Sequence, residues 1–99
     1  GKIMAQTHIF RGVETTTYRN RDGALVGIYR GTEVASQLGN VITLKTGGWK
    51  SRTTKLRMNQ FSNSFVSSRF KVKQKDYLWF VLLDDKEIPF TEESITFEI

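Results

Sequence analysis

Seven consecutive apolar residues, Tyr77-Leu78-Trp79-Phe80-Val81-Leu82-Leu83, constrain the fold of this chain more than any other feature. A strand with one face in water alternates apolar and polar side chains. A run that is apolar on both faces belongs to a strand with neighbours on either side. The run is the longest of its kind here, and far short of the roughly 20 apolar residues a membrane-spanning helix needs. Residues 77–83 are therefore read as the central strand of a sheet, and no membrane partner is expected.

The remaining strands follow from their punctuation. Residues 13–19 are β-branched and aromatic, and Asn20-Arg21-Asp22-Gly23 supplies a hairpin turn. Residues 24–30 and 32–38 follow, broken by Gly31, which is read as a bulge. Gly39-Asn40 marks a second hairpin, and residues 41–45 alternate with the pleat. Arg69, Lys71, Lys73 and Lys75 alternate with Phe70 and Val72, so residues 68–83 are expected to form a hairpin turning near Gln74-Lys75-Asp76. Residues 87–90 read as a short edge strand where Pro89 is tolerated, and residues 95–99 as a closing strand.

The segment after Thr53 fits two templates. As a strand, Thr54, Leu56 and Met58 alternate with Lys55, Arg57 and Asn59. As a helix, Thr53 is the N-cap, and Thr54, Met58, Phe61 and Phe65 form one stripe. The helical template covers more of the chain and explains both phenylalanines. It predicts a helix over about 53–64, with Leu56 on its polar side. The expected fold is a single α+β domain over residues 1–99: a mainly antiparallel sheet of about five to six strands with one helix packed on it. Residues 1–12 are expected to be disordered or to add a strand.

The 99 residues carry a net charge of +5, which conceals an asymmetry. Residues 1–75 hold 14 cations and three anions, a net of +11. Residues 76–99 hold one cation and seven anions, a net of −6. The window 45–75 holds nine cations and no acid. Such a split describes either a polyanion-facing surface or a basic segment against which the acidic end packs.

Catalytic chemistry has little to work with. The chain has no cysteine and a single histidine, His8, so thiolate chemistry, cysteine-type zinc sites and a histidine metal cage are not expected. Asp84-Asp85 and Glu92-Glu93 read as solvated pairs rather than metal ligands. Thr46-Gly47-Gly48-Trp49-Lys50-Ser51 lacks the spacing of a phosphate-binding P-loop. No enzyme activity, cofactor or metal is expected, and no secretory leader is visible in the first residues.

Two basic features remain. Arg69, Lys71, Lys73 and Lys75 repeat every second residue, about 6.6–6.8 Å apart along a strand, a spacing suited to tracking a nucleic-acid backbone. The bland reading is a solvated face whose lysines prevent sheet aggregation. The second feature is the Gly-Gly segment leading into the helix. There Trp49 either stacks on a base or packs in the core, and Lys50, Arg52, Lys55, Arg57 and Asn59 are positioned to meet phosphates or base edges, or merely to solvate the helix.

The segment TGGWKSRTTKLRMNQ at residues 46–60 resembles the signature of a family of small proteins encoded mainly in bacteriophage genomes. In that family a Thr-Gly-Gly-Trp, a Thr-Thr-Lys and an Arg-Met-Asn recur in this order. The Trp79 hairpin and Ile88-Pro89-Phe90 also fit it, so the resemblance covers roughly residues 28–97. It implies a phage or mobile-element origin, with the host cytoplasm as location, and lends no activity. Two functions are therefore expected in order of preference. The first is DNA or RNA binding through a basic surface formed by residues 45–75. The second is protein binding, to a host factor or to a second copy, through the apolar strand 77–83.

Overall fold

The computed structural model describes residues 10–48 and 50–99, so expectations for His8 and Trp49 lie outside the described residues. Four strands follow one another as antiparallel hairpins: β1 (Thr15–Arg19), β2 (Leu25–Tyr29), β3 (Thr32–Leu38) and β4 (Val41–Lys45). Helix α1 (Arg52–Phe65) then crosses to a second meander of β5 (Phe70–Lys75), β6 (Leu78–Leu83) and β7 (Lys86–Pro89). The last strand, β8 (Ser94–Glu98), returns to pair antiparallel with β4. The result is α+β, with one five-stranded sheet in the order β1-β2-β3-β4-β8 and one three-stranded sheet in the order β5-β6-β7.

The class agrees with the sequence, but the strand number does not: among the described residues there are eight strands in two sheets, not five to six in one. Part of the difference lies at Gly31, which is no bulge. Arg30 and Gly31 both have positive φ, 53° and 77°, and form a two-residue turn that reverses the chain fully. The irregularity lies earlier, where the β2–β3 register shifts between Gly27 and Ile28. A Cβ on Gly27 would lie 2.7 Å from the Phe10 ring and 2.9 Å from the Phe61 ring. Glycine there lets the helix approach β2 closely.

Both sheets and the helix share one apolar core. Met58 and Phe61 of α1 are fully buried, as are Ile42 and Leu44 of β4 and Val81 of β6. Phe70 and Phe97 meet edge-to-face at 5.4 Å and join the two sheets. Phe10 packs edge-to-face on Phe61 at 5.7 Å, and its N–H donates to Ser64 Oγ at 2.9 Å. Phe10 is therefore held in the core, and the expectation for residues 1–9 lies outside the described residues.

The helix is slightly longer than the expected 53–64, and its cap is Ser51 rather than Thr53. Ser51 is extended (φ −98°, ψ 161°), and its Oγ accepts from the Thr54 N–H at 3.1 Å. Capping at Ser51 draws Arg52 and Thr53 into the first turn. Thr54, Met58 and Phe61 face inward as the stripe requires, while Leu56 and Phe65 are exposed. No helix among the described residues is long and apolar enough to cross a membrane.

Candidate functional site

Most of the conspicuous polar residues of α1 are engaged within the fold. Alternate residues of a strand turn their backbone groups to the same edge. On the edge of β5 that faces away from β6, those groups belong to Phe70 and Val72. Ser62 Oγ donates to the Phe70 carbonyl at 2.7 Å and accepts from the Phe70 N–H at 3.2 Å. Asn59 Oδ1 accepts from the Val72 N–H at 2.6 Å, and its amide nitrogen donates to the Val72 carbonyl at 3.0 Å. One turn earlier, Lys55 Nζ donates to Gln74 Oε1 at 3.3 Å. Residues 55, 59 and 62 fall on one side of a helix. Together they stand where a neighbouring strand would, and close an edge that would otherwise invite pairing.

Arg57 and Asn59 were expected on a ligand-facing helix surface, and the structure corrects this. Arg57 is only 8% exposed. Its Nε donates to Thr15 Oγ1 at 2.8 Å, one terminal nitrogen donates to Gln60 Oε1 at 3.0 Å, and the guanidinium lies 5.4 Å from the centre of the Tyr29 ring. It ties the helix to β1 and β2. Lys50 is likewise occupied: its ammonium donates to the Phe90 carbonyl at 3.0 Å and lies 5.6 Å and 6.0 Å from the Phe90 and Trp79 rings. Arg52 is exposed at the first helical position.

The cations of β5 are arranged differently. Phe70 and Val72 point into the core, so Lys71, Lys73 and Lys75 all point outward and are exposed. None of the three makes a hydrogen bond or ion pair among the described residues. Arg69, at the end of the row, pairs loosely with Asp84 at 3.6 Å. Both partners are largely exposed, so the pair contributes little to stability.

Directly opposed residues of antiparallel strands share a face. The register sets Lys71 opposite Leu82, Lys73 opposite Phe80 and Lys75 opposite Leu78. On the far side of β6, Leu82 faces Glu87 and Phe80 faces Pro89. The outer face of the three-stranded sheet thus has a row of lysines, then an apolar stripe, then Glu87 and Pro89. Leu78 is 65% exposed, and Phe80 and Leu82 are half-buried. An open groove of about 290 Å³ lies here, lined in part by Lys75, Leu78, Phe80, Glu87 and Pro89. The turn beyond it is Asp76-Tyr77, both with positive φ (52° and 68°), and Tyr77 is 92% exposed.

Of the ten residues singled out from the sequence, the fold brings four into one row: Arg69, Lys71, Lys73 and Lys75. Lys50, Lys55, Arg57 and Asn59 serve the scaffold, Arg52 joins neither group, and Trp49 lies outside the described residues. Sequence reasoning offers Tyr77, Leu78 and Phe80 only as part of an apolar strand for a protein partner, and does not place them beside the lysines. The signal was present in the two-faced apolar run, whose alternate members must lie beside the lysines once the hairpin register is known.

The family model of the Kyanoviridae Gp96 protein matches residues 2–97, nearly the whole chain and well beyond the 28–97 of the resemblance noted above. No curated protein and no solved structure matches it.

Proposed function

The chain belongs to the Kyanoviridae Gp96 protein family and is a small phage protein; from that premise and from its surface chemistry, we propose that it acts by binding nucleic acid on the outer face of the β5–β6–β7 sheet. The observation that carries this reading is the row Lys71, Lys73, Lys75, three unpaired cations at strand spacing beside exposed apolar side chains. Cations held in a straight row with no acid between them attract a polyanion and release its counterions. The basic surface is narrower than residues 45–75 as a whole, because the fold engages Lys50, Lys55 and Arg57 elsewhere.

The test is a binding titration against random-sequence DNA and RNA at several salt concentrations. Three lysines each meeting one phosphate give a slope of log K against log salt of about −2 on a single strand, at roughly −0.7 per phosphate. Reversing charge at Lys71 and Lys73 should abolish most of the binding. Undetectable binding at low salt, or affinity unchanged by the reversal, overturns the reading.

Leu78, 65% exposed on the same face, favours a second reading in which the apolar stripe meets a host protein or a second copy. It ranks lower because a stripe of three side chains is small against the roughly 800 Å² per partner of a stable interface. Sedimentation at rising concentration tests self-association, and a strict monomer removes that form of it.

A further inference from the structure

Resting on the nucleic-acid reading above, we infer that the occupant of this face is single-stranded, with its phosphates along β5 and its bases stacked on Phe80 and Tyr77. The first argument is the cross-section of the surface. The unpaired cations Lys71, Lys73 and Lys75 lie along the β5 side of this face, Asp76 and Asp84 stand at the two ends of the hairpin, and the opposite border carries Glu87. A backbone is drawn to the lysine row and repelled from the β7 border. Whatever it carries must then lie across β6, over Leu78, Phe80 and Leu82. A duplex offers charged phosphates and sugars to that stripe, and burying apolar side chains against them gains nothing. An unpaired strand offers base faces, which stack on an aromatic ring whatever their sequence.

The second argument is Tyr77, and it is independent of the lysines. Tyr77 sits at φ 68° in a two-residue turn that joins Lys75 to Leu78. Such turns favour Asn-Gly or Asp-Gly, because a side chain at positive φ is strained. The preceding residue, Asp76, already suits the turn, yet a large ring occupies the place that suits glycine. Tyr77 is 92% exposed and has no ring or hydrogen-bond contact among the described residues that recovers the cost. A strained aromatic held in water at the end of a lysine row is what a stacking residue requires. Two intervals of about 6.6–6.8 Å separate Lys71 from Lys75, so the row spans some three to four nucleotides, at the small end of single-strand sites.

The experiment measures fluorescence anisotropy of three labelled probes of about 12 nucleotides: oligothymidylate, the corresponding duplex, and an abasic strand with the same phosphates. The wild-type chain should bind oligothymidylate at least about tenfold more tightly than either of the others. Phe80→Leu keeps the packing volume but removes the π face, and Tyr77→Gly relieves the turn. Each should weaken oligothymidylate binding by at least about fivefold while leaving the abasic and duplex affinities unchanged. Tyr77→Gly should also raise the melting temperature, so its loss of binding cannot come from unfolding. Phe80→Tyr should restore the wild-type value. Equal affinity for all three probes, with both aromatic variants silent, overturns the single-strand inference and leaves the nucleic-acid reading standing. Absence of binding to any probe at low salt overturns both.

Discussion

The two sides of β5 use polar residues in opposite ways. On the edge against α1, Asn59 and Ser62 find backbone partners at Val72 and Phe70, and the distances are 2.6–3.2 Å. On the outward face one residue away, the Lys71 and Lys73 side chains find no partner among the described residues. The same strand therefore separates residues that hold the molecule together from residues available to something else. Chemical type does not make the distinction. Arg57 and Lys73 are both cations in the basic window, yet one is a buried strut and the other a solvated charge. A satisfied polar side chain costs the fold heavily when removed, whereas an exposed unpaired one costs almost nothing.

Several substitutions can break or sharpen that contrast. The largest effect is expected for Asn59→Ala, which strips both partners from Val72 at once. It should destabilise the protein by about 2–4 kcal/mol in urea unfolding, with the strand edge left to pair with other chains. Ser62→Ala removes a fully buried hydroxyl that bonds twice to Phe70, and should cost about 1–3 kcal/mol by the same measurement. Replacing Lys71, Lys73 and Lys75 together by glutamine should change stability by less than about 0.5 kcal/mol. The same triple variant should lose most nucleic-acid affinity and flatten its salt dependence. If it unfolds as readily as Asn59→Ala, the lysine row belongs to the scaffold and the contrast fails. Tyr77→Gly should stabilise the fold by about 1 kcal/mol, since the residue no longer strains at positive φ. Lys55→Met should likewise cost about 0.5 kcal/mol or less, because its bond to Gln74 is long and exposed.

The hairpin shows why the site was only half legible in the sequence. The alternation of 69–75 assigned Phe70 and Val72 to the core and the cations to the outside, and the structure agrees. A turn at Gln74-Lys75-Asp76 would pair Lys73 with Tyr77, Lys71 with Trp79 and Arg69 with Val81, setting Trp79 and Val81 beside the cations. The turn is Asp76-Tyr77, and the register becomes Lys73 to Phe80 and Lys71 to Leu82. Because side chains alternate faces, this shift sends Trp79 into the core and Phe80 out to the lysines. The turn was hard to see because Tyr77 is not a turn residue by preference, and it also extends the apolar run. The polar residues of the helix were misjudged for a related reason. Arginine and asparagine on an amphipathic helix read as solvent-facing, and only a backbone edge brought alongside turns them into struts.

The sequence by itself determined the α+β class, the central place of 78–83 in its sheet and the concentration of positive charge before residue 76, and it favoured a helix over a strand after Gly47-Gly48. These are properties of local periodicity and composition, and they survive whatever the strands pair with. Tertiary structure alone decided that the described strands divide into two sheets, that Asn59 and Ser62 close an edge of β5, and that Phe80 lies beside Lys73. Each of those depends on which residues distant in sequence stand opposite one another. Pairing of that kind is set by turn geometry and by the packing of a shared core, neither of which a charge or a hydropathy pattern contains.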